Sequence, residues 1–393
     1  MEHRPPWILP VIILSQFAGT SLWFAGNAVI SDLQSEWGLS PASLGYVTSS
    51  VQLGFIAGTL FFAFFLISDR FSPRLVFFFS SILGAAANLG IFFLSDGLQS
   101  LLIFRFITGF FLAGIYPVGM KIAAGWYKHG LGAALGYLVG ALVVGTAFPH
   151  LLKSLEYNYE WESVIISVSA ISIIGGLLML IFVPNGPYLS KGTKFNPLAI
   201  QIIFKSKALR QAAFGYFGHM WELYTVWTFV PLLLAYYAKE HGDAINIPLW
   251  SFWIIAAGAI GCALGGIISK RTGSKPVAFY QLLLSGICCA LSPLIFAIPP
   301  DLSLLFFLFW GVVVAGDSPQ FSALVAMSAP KEYVGSALTI VTSIGFLITV
   351  FSIQFINSLV GTIEVRYLML LLIPGPVFGL ISSLNGKEPL NSS

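Results

Sequence analysis

Residues Ile56 to Gly84 read IAGTLFFAFFLISDRFSPRLVFFFSSILG: an apolar run, a polar break at Ser68-Asp69-Arg70-Phe71-Ser72-Pro73-Arg74, and a second apolar run. Extended to their natural ends, the runs are each roughly 20 residues, enough to cross about 30 Å of hydrocarbon as a helix. The charges are confined to the turn between them. Working outward, the same arrangement recurs from one end of the chain to the other. Of 393 residues, 57% are hydrophobic and 9% charged, against about 25% charged in a soluble domain. Mean hydropathy is +0.88. A β-barrel would show short alternating strands instead of long apolar runs. The fold class is therefore all-α integral membrane.

Polar, glycine and proline clusters divide the chain into twelve predicted transmembrane spans. They fall near 7–30, 44–67, 75–95, 98–121, 131–152, 163–183, 211–235, 249–269, 277–298, 302–327, 335–358 and 366–384. The first is too long for a signal-peptide core and lacks a small-residue cleavage site, so it reads as a retained span. The longest connection carries Lys191, Lys194, Lys205, Lys207 and Arg210 with Pro184, Pro187 and Pro197. It separates an N-terminal six-helix bundle (1–183) from a C-terminal one (211–393), with 184–210 as a cytoplasmic linker. Cytoplasmic loops attract Lys and Arg. With the N-terminus inside, the inner face collects Arg4, Arg70, Arg74, Lys121, Lys128, the linker cations, Lys270, Arg271, Lys275, Lys331 and Lys387. The outer face receives Lys153, Lys239 and Arg366. Both termini are expected in the cytoplasm.

The halves repeat at a spacing of about 201 residues. Ile67-Ser68-Asp69-Arg70-Phe71-Ser72-Pro73-Arg74 returns as Ile268-Ser269-Lys270-Arg271-Thr272-Gly273-Ser274-Lys275. Ala113-Gly114-Ile115-Tyr116-Pro117 returns as Ala315-Gly316-Asp317-Ser318-Pro319. Gly132-Ala133-Ala134-Leu135 returns as Gly335-Ser336-Ala337-Leu338. Three matches in order, at near-constant offset, are not chance. Two parallel six-helix repeats are a transporter architecture, with the solute site at the bilayer midplane between them.

These motifs resemble the major facilitator superfamily over essentially the whole chain. The loop around Asp69, Arg70 and Arg74 is similar to that superfamily's signature between helices 2 and 3, with Phe65 and Ser72 where glycines are usual. Its second copy keeps Gly266, Arg271 and Gly273 but has Lys270 for the acid. Arg105-Phe106-Ile107-Thr108-Gly109 with Gly114 resembles the fourth-helix motif linked to proton coupling. Gly218-His219-Met220-Trp221-Glu222-Leu223-Tyr224 looks like a run in twelve-helix bacterial permeases loosely grouped with nitrate and cyanate carriers. The nitrate signature is absent: Gln52 stands where nitrate carriers have arginine, and the eighth span has none. The sugar-porter pattern after the sixth span and the drug-antiporter Gly-Pro motif of the fifth are missing too, since Gly140 precedes Ala141.

Three ionisable residues lie deep in the spans: Arg105, Glu222 and Asp317. Each costs about 3 kcal/mol on the lenient insertion scale, so each needs a reason. The resemblance places them on helices 4, 7 and 10, which with helix 1 line a central cavity. One reading makes each a structural pair locking helices together; the other makes them the substrate or proton pathway. Burial penalises a charged carboxyl, and Glu222 suits a group that loads and releases a proton. His219, three residues earlier, shares its helix face and either relays that proton or bonds a neighbouring helix. Arg105 keeps its charge and would bind a substrate carboxylate or an acid across the cavity. Asp317 precedes Ser318, Pro319 and Gln320, and the proline should bend the helix. Trp221, Tyr224, Gln16, Asn27 and Gln320 complete the pathway candidates, each with helix packing as its alternative. Lys121 and His150 lie near span ends, where snorkelling is the default. Asp69, Arg70, Arg74 and Arg271 form the expected gating motif, with Asp69 latched to Arg70, Arg74 or the opposite half. Gly54 and Gly58, Gly132, Gly136 and Gly140, and Gly261 and Gly265 recur at four-residue spacing; the resemblance puts these helices where the halves meet.

Cys262, Cys288 and Cys289 have no ligand-like spacing, so no metal or disulfide framework is expected. No nucleotide loop, nucleophile–base set or basic nucleic-acid patch is present, and no cofactor is implied. The chain is expected to be a monomeric, non-enzymatic secondary transporter of the cytoplasmic (inner) membrane. It would move a small polar or anionic organic solute by alternating access, with protons driving uptake. The alternatives are proton-driven efflux of a toxic or secreted compound, siderophore-like cargo included, and a non-translocating receptor. Such a receptor would usually carry a longer cytoplasmic extension than Lys387 to Ser393.

Overall fold

The computed structural model describes residues 5–127, 131–155, 160–189, 194–242 and 244–384; Arg4, Lys128, Lys191 and Lys387 lie outside them. Among the described residues the secondary structure is helical apart from one isolated bridge between Val360 and Ile363. In chain order the helices are α1 (Ile8–Thr20), α2 (Ala25–Ala28), α3 (Ile30–Trp37), α4 (Ser43–Phe64), α5 (Ile67–Arg70), α6 (Pro73–Leu94), α7 (Leu98–Leu112), α8 (Tyr116–Ala124), α9 (Leu131–Ser154) and α10 (Trp161–Phe182). They continue as α11 (Ala199–Lys205), α12 (Lys207–His241), α13 (Ile247–Thr272), α14 (Ser274–Leu291), α15 (Pro300–Gly316), α16 (Ser318–Ser328), α17 (Val334–Leu359), α18 (Val365–Leu368) and α19 (Pro374–Leu384). Ten helical segments are long and apolar enough to cross a membrane. They correspond to ten of the twelve expected spans. The first and seventh are not among them: α1 stops at Thr20, and α12 is 35 residues long with a more polar sequence.

Two compact units emerge, residues 1–191 with 244–256, and residues 192–243 with 257–393. The division falls inside the expected linker, and 244–256, read from sequence as part of the second half, group with the first unit.

Local sequence explains where helices stop. Thr20 Oγ1 donates to Gln16 O at 2.8 Å and Ser21 Oγ to Ala18 O at 2.6 Å. Such back-bonding competes with the helix ladder, and the chain turns through 21–24 before α2. The fourth and tenth spans break at matching places, α7/α8 at Ala113–Ile115 and α15/α16 at Asp317. Pro117 and Pro319 follow these breaks; each lacks the N–H a continuous helix needs and crowds the carbonyl four residues earlier.

Within the first unit α4 and α7 pack backbone to backbone. A Cβ on Gly54 would meet Phe106 O at 2.0 Å, and one on Gly58 would meet Phe110 O at 2.2 Å. In the second unit a Cβ on Gly261 would meet Val312 O at 1.9 Å. The close approaches of these small residues lie inside a unit, helix 2 on helix 4 and helix 8 on helix 10, as static tight packing requires. Leu66, at the end of α4, is the non-glycine residue in the left-handed region (φ 53°); Gly273 holds the related turn of the repeat at φ 87°.

Candidate functional site

In the second unit, α12 carries His219 and Glu222 one turn apart on a wholly buried face. The break between α15 and α16 places Asp317 beside them. His219 Nδ1 lies 2.8 Å from Asp317 Oδ1, both side chains fully buried. The approach is an ion-pair contact, and among the described residues His219 Nε2 and Asp317 Oδ2 have no partner at good hydrogen-bond geometry. Cys289 Sγ, on α14, donates to Glu222 Oε2 at 3.4 Å; Ser285, one turn earlier, adjoins the same carboxyl, and Asp317 is within electrostatic reach of it. Among the described residues, Glu222 Oε1 has no partner at good hydrogen-bond geometry. Tyr216 and Phe321 lie near the imidazole in tilted contacts, at 5.9 and 6.3 Å between ring centres.

Two carboxyls and one imidazole are thus buried together in the second unit. Their unmet polar atoms can receive or release a proton.

The neighbouring aromatics divide. Tyr224 sits 5.2 Å from Trp227 and 5.2 Å from Phe346. Trp221 packs on Phe355 at 6.2 Å and against Gly375, where a Cβ would meet its Cδ1 at 2.6 Å. Its indole Nε1 is buried without a partner. Gln320 is buried in the first turn of α16.

Arg105 is elsewhere, in the first unit. Its Nη1 donates to Leu22 O at 3.1 Å and Asn88 Oδ1 at 3.3 Å, and its Nη2 donates to Trp23 O. Asn88 continues the chain of bonds to Ile165 O (3.2 Å) and Ser169 Oγ (3.0 Å). The guanidinium therefore caps the carbonyls released where the first span breaks and ties α6, α7 and α10 to that break. Among the described residues its hydrogen-bond partners are carbonyl and amide oxygens, the structural alternative to binding a substrate carboxylate or an acid across the cavity. Gln16 also turns inward: a Cβ on Gly119 would meet its Oε1 at 2.0 Å, and neither of its amide atoms has a partner. Asn27 Nδ2 donates to Thr48 Oγ1 at 2.7 Å, and Trp23 Nε1 to Gln52 Oε1 at 3.3 Å.

Asp69 pairs with Lys121 at 2.6 Å, and Lys121 Nζ also donates to Ser68 O at 2.8 Å. A lysine from α8 of the same unit is thus among the partners of Asp69, beside the expectation of Arg70, Arg74 or the opposite half. Arg70 and Arg271 are exposed; Arg74 is half-buried. Asn88, Ser285 and Cys289 escaped the sequence reading. Each is a small polar residue in an apolar span, a common pattern, and only the need of Arg105 and Glu222 for partners signals them.

The Major Facilitator Superfamily profile matches residues 11–353. A candidate metabolite transport protein of Haemophilus influenzae is 25% identical over 360 residues, covering 84% of this chain and 83% of its own. A D-galactonate transporter of Escherichia coli is 31% identical over 163 residues, 41% of this chain and 37% of its own. The solved structure of the proton:xylose symporter XylE, bound to 6-bromo-6-deoxy-D-glucose, superposes with a TM-score of 0.73 at 16% identity, covering 96% of this chain and 94% of that one. The broken, twice-repeated helices, the run of membrane spans and these matches agree: the chain belongs to the major facilitator superfamily, as a multi-pass membrane transport protein and not an enzyme.

Proposed function

We propose that the protein is a secondary active transporter taking up a small anionic organic solute by alternating access, driven by protons through Glu222. Twelve crossings of the inner membrane with both termini in the cytoplasm complete the reading, and the one-sided Lys and Arg distribution supports it. The carrying observation is Glu222 itself. It is a fully buried carboxyl with one oxygen open and a thiol on the other, beside an Asp317 that already has its imidazole. An acid kept in a membrane helix without a cation of its own is costly unless its charge changes during the cycle. The relative named for D-galactonate, a sugar-acid anion, supports an organic anion as cargo. His219 and Asp317 would sense the proton on Glu222, and Arg105 would hold the first unit's architecture and not the solute.

The test is uptake into proteoliposomes under an imposed inward proton gradient, with a panel of sugar acids and small monocarboxylates selected by thermal shift. Glu222→Gln should bind the hit but lose gradient-driven accumulation by about 100-fold, the scale of removing one essential proton-transfer group. Intact accumulation by Glu222→Gln would end this assignment.

A further inference from the structure

The segment joining the two expected bundles carries a short helix with three distinct sectors. In α11, Ala199 and Ile203 are fully buried against the second unit. One sector round, Ile200 and Phe204 share a face and are 42% and 45% exposed, with Leu198 just before them at 58%. The next sector holds Gln201 and Lys205, both exposed. The helix is pinned at both ends. Asn196 N donates to Ser336 Oγ at 3.0 Å, Leu198 N to Asn196 Oδ1 at 2.9 Å, and Arg210 Nη1 to Phe204 O. The apolar edge is thus held outward by fixed bonds.

Its charge setting is one-sided. No acidic residue occurs between Glu162 and Glu222, while Lys194, Lys205 and Lys207 are exposed around α11. The helix ends one residue before α12 begins, so it lies where a membrane helix would emerge. A buried side, an apolar side and a lysine side, in that order, fit a helix lying in the interface, with Ile200 and Phe204 in the acyl boundary and the lysines at headgroup level. We propose that α11 is a docking surface for anionic phospholipid, anchoring the start of the second unit to the bilayer surface independently of what the protein transports.

The experiment places an environment-sensitive fluorophore on Ile200→Cys in the full chain, reconstituted in nanodiscs of phosphatidylcholine with or without phosphatidylglycerol. Cys262, Cys288 and Cys289 are buried, so the added thiol takes the label. Phe204→Cys reports on the same face, and Gln201→Cys is the control one sector away. With phosphatidylglycerol, emission at 200 and 204 should shift to the blue, and quenching by aqueous iodide should be about threefold lower than at 201, as for a helix half-sunk in the interface. Replacing Lys205 and Lys207 by glutamine should lower the phosphatidylglycerol dependence by about fivefold per lysine, the fold-change of about 1 kcal/mol each. Inorganic phosphate added to phosphatidylcholine discs should leave the emission unchanged. The proposal fails if positions 200, 204 and 201 are quenched alike. It fails equally if the shift is the same without phosphatidylglycerol, or if free phosphate reproduces it.

Discussion

Arg105 and Asp317 are both charges buried in broken helices of one repeated architecture, and they are treated in opposite ways. Arg105 lies in the first unit two turns before the α7/α8 break. Two backbone carbonyls and an asparagine oxygen, all fixed in place, take its donors. Asp317 stands in the α15/α16 break itself and faces a single imidazole, with one oxygen unmet. Their repeat counterparts are apolar, Phe307 for Arg105 and Ile115 for Asp317. Scaffold is thus shared, and these two charges are not. A charge whose partners are backbone cannot exchange them without unfolding something. One whose partner is another titratable side chain can.

The comparison breaks most readily at Arg105. Arg105→Ala strands Leu22 O, Trp23 O and the Asn88 amide oxygen in an apolar interior. Leaving buried partners unmet costs about 1–3 kcal/mol for each group, so with these partners stranded the fold should lose at least about 3 kcal/mol. The expected result is poor membrane yield and a melting temperature in detergent far below wild type. Arg105→Lys recovers only part, because an ammonium cannot fork to carbonyls on both sides. A variant that melts with the wild type would show that the guanidinium does not hold the break of the first span.

The second unit should respond by coupling instead. His219→Gln leaves the buried Asp317 carboxyl without its imidazole, and Asp317→Asn leaves the imidazole without that carboxyl. Each single substitution should destabilise, and the pair together should cost less than their sum. The expected interaction energy is about 1–3 kcal/mol, as for contacting residues in one polar network. Additive losses in a thermal-denaturation cycle would mean that the 2.8 Å contact contributes nothing in the bilayer protein.

How much of this was legible in the chain follows the same division. Long apolar runs, the repeat and the two prolines follow from local chemistry, so the membrane fold and the matching breaks are written in the sequence. The site is written only in part. That His219 and Glu222 share a face is a property of one helix. That Asp317 meets His219, and not Glu222, depends on the rotation of α12 against α16, which no spacing encodes. The partners of Arg105 were not legible, because two of them are backbone carbonyls that exist as acceptors only once the first span breaks at Ser21. The break has no glycine or proline at 21–24 to announce it; serine and threonine back-bonding makes it.

The signature turns offer a smaller contrast. Gly273 has φ 87° and ψ 163°, a region that only glycine occupies at ease. Leu66 holds φ 53° and ψ 38° without that freedom, at a cost of about 1–2 kcal/mol. Gly273→Ala should therefore destabilise by about 1–2 kcal/mol. Leu66→Gly should stabilise by less than that relief, because glycine also loosens the unfolded chain. The two shifts in melting temperature must have opposite signs, and equal signs would show that the first turn carries no strain.

The smallest effect should come from the ion pair beside these turns. Asp69 and Lys121 meet at 2.6 Å with side chains 16% and 22% exposed. At the corresponding places of the second half stand Lys270 and Ala323. The repeat has lost both members together, as expected if neither charge is useful alone. Partial solvation limits the pair, and cycles on accessible ion pairs give about 0.2–1 kcal/mol. Asp69→Asn and Lys121→Gln should therefore each cost under about 1 kcal/mol in a thermal-denaturation cycle, and the coupling should fall as salt is raised, because Lys121 keeps its path to water. The same salt titration should leave the His219–Asp317 coupling in place, since that pair is sealed from solvent. Salt dependence is thus the measurement that separates a latch at the membrane edge from a charge pair in the interior. If both couplings fade together, the interior pair is wetted and the contrast between the two units disappears.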